Sequence, residues 1–173
     1  MPDRKRTRPS HVDPLLYEPI GRVAVEFGIV EDRLQWAIEA LFLGSPDPQA
    51  VRILVGPLGF AEKVRIYEEL YQHIRPKADP APVKNLCKRL IAINAERNRT
   101  LHALWFGGAA GEELAALRIS RGSGRGGTER RKITRSELHG LATQIGEVGD
   151  ELSSFAMLTA TRMKQIGVPE DEK

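Results

Sequence analysis

The sequence predicts an all-α protein, a bundle of about five helices with a small β-hairpin inserted before the last helix. Apolar residues recur every three or four positions over most of the chain, which is the period that places them on one face of an α-helix. Prolines and glycines interrupt this pattern and divide it into about five segments. With 173 residues, 41% of them hydrophobic, the chain is long enough to bury a core as one domain.

The boundaries of the helices follow from start and stop signals. Gly44-Ser45-Pro46 ends the first helix, which we expect to begin after Pro19. Asp47 followed by Pro48 is typical of a cap and first turn, and Thr134 or Ser136 can cap the last helix. The expected helices span about 20–43, 48–55, 60–74, 82–105 and 135–166.

Two short segments, 114–119 and 130–134, flank a run rich in serine, arginine and glycine and favour a hairpin over about 114–134. The glycine run lacks the Lys-Ser/Thr pair that follows a phosphate-binding loop, so a flexible hairpin tip is favoured over a nucleotide cradle. We expect a single domain over 14–167, between a disordered basic tail over 1–13 and an acidic tail over 168–173.

The composition indicates a cytoplasmic protein without a membrane segment. Cys87 is the single cysteine and cannot form an intramolecular disulfide, which favours a reducing compartment. No apolar run approaches the roughly 20 residues that span a bilayer, and the basic N-terminal residues are not followed by the apolar segment of a signal peptide. The four histidines are scattered and Cys87 has no CxxC partner, so we expect neither a metal site nor a cofactor.

Basic charge is concentrated in the N-terminal tail and around the expected hairpin. Residues 118–135 contain seven basic residues against Glu129, a net charge of +6. Such a segment attracts a polyanion such as RNA without regard to its sequence; the alternative is a solvated loop that binds nothing. The candidate RNA-binding residues are Arg99, Arg118, Arg121, Arg125, Arg130, Arg131 and Lys132.

The fourth helix carries polar residues where a packing helix would place leucine or alanine. Asn94, Asn98 and His102 form an i, i+4 ladder beside the apolar arc, and Arg97 takes an aliphatic position within it. Burying such groups costs about 1–3 kcal/mol each when they lack partners. Either they form a satisfied cluster, with Arg97 paired to Glu26 or Glu31 and the amide and imidazole bonded to backbone carbonyls, or they form a functional site.

The segment Arg97-Asn98-Arg99-Thr100-Leu101-His102 resembles the motif of the HEPN superfamily, in which an arginine and a polar residue precede a histidine after four to six intervening positions. The following Ala103-Leu104-Trp105 resembles members that read Arg-Asn-x-x-x-His-Gly-x-Trp, with Ala103 at the position where glycine is frequent. The resemblance covers about ten residues as a motif, and about 15–165 as an architecture.

The resemblance implies a metal-independent endoribonuclease that leaves 2′,3′-cyclic phosphate ends. Arg97 would then bind the scissile phosphate, His102 would act as general base or acid, and Asn98 would orient the substrate or the histidine. Arg97 and His102 differ by five positions, about 140° around a helix, and so do not converge on one monomer. Two facing copies would bring Arg97 of one near His102 of the other, which favours a homodimer.

Three interpretations therefore remain open. The first is an RNA-directed HEPN-like ribonuclease or toxin-like effector, with an antitoxin or another protein as a conceivable partner. The second is a non-catalytic interaction or scaffold module that uses the same helix for dimerisation, since a fold alone does not grant activity. The third is an unrelated helical protein in which the motif is a coincidence.

Overall fold

Five α-helices make up most of the computed structural model, which describes residues 16–43, 48–107, 113–119 and 128–166. They confirm the predicted helical bundle with an inserted hairpin. None of the helices in these ranges is both long and apolar enough to cross a lipid bilayer. The helices are α1 (Tyr17–Ala40), α2 (Pro48–Val55), α3 (Phe60–Ile74), α4 (Ala81–Leu101) and α5 (Arg135–Ile166).

One hydrophobic core joins the helices. It is built from the apolar stripes that the three-and-four spacing predicts, and most of its side chains are completely buried. Phe27 of α1 packs against Phe60 at the start of α3, with ring centroids 4.7 Å apart. A second, smaller cluster of Leu16, Ile133 and Leu138 lies at the end of the bundle where α1 and α5 begin.

The helices α1 and α5 run side by side in the same direction. Glu18 of α1 lies near His139 of α5, and Arg33 donates a hydrogen bond to Asp150 at 2.7 Å, so positions on the two helices rise together. Small residues alternate at spacings of four and three along α5 and let the two backbones approach closely. These residues are Ala142, Gly146, Gly149, Ser153, Ala156 and Ala160.

A three-stranded antiparallel sheet follows α4 in the chain and precedes α5. Its strands are β1 (Leu104–Gly107), β2 (Glu113–Ile119) and β3 (Thr128–Thr134), in the order β1-β2-β3. Strands β2 and β3 are the predicted hairpin, paired from Glu113 opposite Thr134 to Ile119 opposite Thr128. The sequence did not indicate β1, which pairs Leu104 with Leu117 and Gly107 with Leu114.

The expected end of the fourth helix near Trp105 is wrong, because α4 ends at Leu101. Beyond it the chain turns at His102 and continues as β1. The indole N–H of Trp105 donates a hydrogen bond to the carbonyl of Thr100 at 3.0 Å and folds the ring back over the helix end. The aromatic and apolar residues after His102 therefore form an edge strand instead of about one further helical turn.

Two other boundaries show how the helices begin. Helix α1 starts at Tyr17 and not after Pro19 as expected. The first turn of a helix tolerates proline because the N–H groups there have no partner within the helix, so the missing N–H of Pro19 costs no hydrogen bond. Helix α5 begins with a capping box: the Glu137 N–H donates to Thr134 Oγ1 at 3.1 Å, and the Thr134 N–H donates to Glu137 Oε2 at 2.6 Å. The predicted tails, 1–13 and 168–173, lie outside the described residues.

Candidate functional site

The polar residues of α4 lie where its last two turns pass over Phe27 of α1. Phe27 is 1% exposed, and the guanidinium carbon of Arg97 lies 4.7 Å from the centroid of its ring. A guanidinium over an aromatic face contributes about 0.5–2 kcal/mol. Because Phe27 is itself fixed against Phe60, it provides a rigid platform for the cation.

Hydrogen bonds between side chains hold Arg97 from the other side. Its Nη1 donates to Asn98 Oδ1 at 2.8 Å, and Asn98 Nδ2 donates to Asn94 Oδ1 at 3.3 Å. The Nε atom of Arg97 is buried and has no hydrogen-bond partner among the described residues. The arrangement thus orients the guanidinium through neutral groups and leaves part of its donor capacity unused.

Neither Glu26 nor Glu31 forms an ion pair with Arg97 in the described part of the chain. The alternative of a satisfied cluster with a carboxylate partner is therefore not observed. Asn98 bonds to side chains and not to backbone carbonyls, as that alternative would require. Within the described ranges the positive charge of Arg97 consequently has no acidic counterpart, and it faces the Phe27 ring and the side-chain amide of Asn98.

His102 occupies the C-cap position of α4, where its backbone N–H donates to the carbonyl of Asn98 at 3.2 Å. Its side chain is exposed and makes no hydrogen bond or ion pair with another described residue. The structure therefore brings Arg97 and Asn98 together but leaves the His102 ring free in solvent. A spacing of five positions corresponds to about 140° around a helix, which does not favour convergence of the two basic side chains within one protomer.

The predicted RNA-binding residues divide into four groups. Arg99 forms an ion pair with Glu96 on the solvent side of α4. The backbone of Arg118 lies on β2, opposite Glu129 of β3. Arg121 and Arg125 lie outside the described residues. The remaining three, Arg130, Arg131 and Lys132, are consecutive on β3, where their backbones are paired with Leu117, Ala116 and Ala115.

A groove of about 330 Å³ lies between α4, β3 and the start of α5. Its lining includes Glu96 and Thr100, and each of them is two positions, about 200°, away from Asn98 around the helix. The groove is thus on the opposite side of α4 from Asn98, and with Glu96 and Glu137 in its walls it is unsuited to a phosphate. Among the described residues, no group of three or more His, Cys, Asp or Glu could hold a metal ion.

Phe27 is the site residue that sequence reasoning missed. Its spacing within α1 assigns it to the core, which is correct, but no local signal indicates that its ring also carries a cation from α4. Asn94, in contrast, is evident from the i, i+4 ladder. Comparison of the chain with known protein families, characterised proteins and solved structures gives no significant match.

Proposed function

We propose that this protein is an RNA-directed, HEPN-like protein that acts as a metal-independent endoribonuclease through Arg97, Asn98 and His102. The proposal rests on the contacts that the Arg97 guanidinium makes. Its guanidinium stacks on Phe27, donates to Asn98, has no carboxylate partner among the described residues, and belongs to a side chain that is partly exposed. A cation held in this way is suited to a phosphate, which can accept two hydrogen bonds from one guanidinium.

The reaction needs only groups of the RNA and of these side chains. The 2′-oxygen forms a bond to the adjacent phosphorus while the bond to the 5′-oxygen of the next nucleotide breaks. The products are a 2′,3′-cyclic phosphate and a 5′-hydroxyl end, so no water is consumed in this step. His102 would take the proton from the 2′-hydroxyl or give one to the leaving oxygen, because imidazole exchanges protons near neutral pH. Arg97 would stabilise the negative charge that develops on the phosphate oxygens.

The dimer is part of this proposal. Because the two basic side chains do not converge in one protomer, Arg97 of one copy would act with His102 of another. The basic strand β3 with Arg130, Arg131 and Lys132 would contribute sequence-independent attraction to the RNA backbone. A location in the cytoplasm, with its RNA and reduced thiols, fits the unpaired Cys87.

Cleavage of pooled cellular RNA in the presence of EDTA tests the proposal. Wild type should cut the RNA to fragments with 2′,3′-cyclic phosphate ends, and Arg97→Ala and His102→Ala should each lose the activity. Arg89→Ala is the matched control, because Arg89 lies on the same helix and is paired with Glu151 away from the motif. Circular dichroism should show that all variants are folded.

A mixing experiment tests whether the site is shared. Arg97→Ala and His102→Ala protein, each inactive alone, should regain part of the activity when combined if facing protomers supply one residue each. Absence of cleavage by folded, dimeric wild type would contradict the ribonuclease.

A second candidate is a non-catalytic interaction module. It is favoured by the large apolar side chains that stay exposed on the described surface, including Val25, Ile53, Leu54, Met157 and Leu158 at 61–74%. In that case His102→Ala would change neither RNA cleavage nor the growth of cells that express the protein. Its effect would be confined to protein stability or assembly.

A further inference from the structure

The solvent side of α1 carries an apolar seam. Val25 is 64% exposed, Ile29 41% and Trp36 40%, although all three lie in α1, a helix with eight buried residues. Together with three charged residues they repeat at alternating spacings of three and four, the pattern of the contact positions in a coiled coil. The seam consists of Arg22, Val25, Ile29, Asp32, Trp36 and Glu39.

Five of the six seam residues, all but Glu39, are exposed in the described structure. Val25 and Ile29 are each two positions, about 200°, from Phe27, so they point away from the core that Phe27 enters. Arg22 is exposed and has no ion-pair partner in the described ranges. Glu39 is partly exposed, and its carboxylate lies 3.9 Å from Arg52. The protomer thus leaves three large apolar groups and one cation facing water.

The outer positions of the seam complement their own reverse. In an antiparallel pair centred between Ile29 and Asp32, Val25 meets Trp36 of the other helix and Arg22 meets Glu39. The two end layers then join opposite charges, the next two join Val25 with Trp36, and the two central layers set Ile29 beside Asp32, which is exposed in the protomer. A parallel pair would instead set Arg22, Asp32 and Glu39 each against its own copy, which is repulsive at three levels.

We propose that a second copy of this chain docks on the seam, with the two α1 helices antiparallel about a two-fold axis between Ile29 and Asp32. A two-fold contact uses the same patch on both subunits, as this arrangement requires. The contact is separate from the facing-motif dimer of the proposed function. Arg97 stacks on Phe27 at the opposite side of α1, so the α1 contact keeps the two motifs apart and does not rest on catalysis.

Sedimentation velocity over a hundredfold range of protein concentration tests the contact. Wild type should show a reversible monomer–dimer equilibrium. Arg22→Glu and Glu39→Lys should each raise the dimer dissociation constant at least about tenfold, because each places like charges in two end layers. The double variant Arg22→Glu/Glu39→Lys restores opposite charges and should return the constant to near the wild-type value.

Lys84→Glu is the matched control, an equal charge reversal at an exposed position of α4 away from the seam, and it should leave dimerisation unchanged. Thermal melts establish that the variants are folded, which matters most for Glu39 because Gln35 also donates to it at 2.9 Å. A wild type that stays monomeric, or single reversals without effect, would overturn the proposal. Failure of the double variant to restore the dimer would also overturn it. RNA cleavage measured on the same variants tests the proposed ribonuclease activity separately from dimerisation through α1.

Discussion

Replacing Gly149 by alanine tests the close approach of α1 and α5. A Cβ atom at Gly149 would lie 2.9 Å from Val30 Cγ2 and 2.8 Å from Arg33 Nη1. The arginine end can move, but Val30 is completely buried, and its branched side chain has one preferred rotamer in a helix. Either Val30 or the α5 backbone must therefore shift.

Gly140 of the same helix provides the matched control, because a Cβ there would meet nothing within 4 Å. Alanine in place of glycine in a helix gains about 1 kcal/mol from propensity alone, so Gly140→Ala should stabilise the protein by about that amount. At Gly149 the same gain is opposed by overpacking, which costs about 1–3 kcal/mol. Gly149→Ala should thus be less stable than Gly140→Ala by about 1–3 kcal/mol.

Urea unfolding monitored by helical circular dichroism measures this difference. For a chain of this size, a change of 1 kcal/mol also moves the melting temperature by about 2–4 °C, which a thermal scan resolves. Equal stabilisation by both alanines would refute the reasoning, because it would mean that α5 does not approach α1 as closely as the structure shows.

Three further variants test single features of the fold by equilibrium unfolding. Tyr67 is fully buried and its hydroxyl has no hydrogen-bond partner in the part of the chain that the structure describes, so Tyr67→Phe should raise the free energy of unfolding by about 1 kcal/mol. A loss of stability would instead reveal a hydrogen bond to this hydroxyl. Burial, followed by the charge of Glu68, raises the pKa of the Cys87 thiol to about 12. The thiol ionises at a lower pH in the unfolded chain than in the folded protein. The free energy of unfolding should therefore fall by up to about 1.4 kcal/mol per pH unit above roughly pH 9. Cys87→Ala should make this slope shallower, and an unchanged slope would exclude the thiol as its source. Thr134→Ala removes the cap of α5 and should cost about 1 kcal/mol, whereas Thr134→Ser, which keeps the hydroxyl, should cost less.

Periodicity predicted the helical architecture because the bundle is built from local amphipathic patterns. Helix α3 has the expected bounds, and the hairpin formed by β2 and β3 lies where turn residues indicated it. The strand β1 could not be predicted in the same way. Its residues continue an apolar run after α4, and only pairing with β2, whose residues lie beyond Gly107 in the chain, decides that Leu104 to Gly107 are extended.

The candidate site shows the same division between local and distant causes. The ladder of Asn94, Asn98 and His102 follows from spacing alone. What Arg97 contacts depends on which residue of α1 lies beneath it, and here that residue is an aromatic ring, 70 positions earlier in the chain, instead of a glutamate. The sequence holds acidic residues one position before and four positions after Phe27, so small differences in helix register decide between an ion pair and a stacked cation.

The parallel pairing of α1 and α5 also has a consequence for synthesis. The contact between Arg33 and Asp150 spans 117 positions. At ribosomal rates the nascent chain would hold α1 without its main partner for roughly 6–23 s before α5 emerges. During that interval the buried stripe of α1 is open to chaperones and proteases, and a product truncated before α5 would expose it permanently. Quality control of this protein therefore depends on its final helix, the last segment of the bundle to be translated.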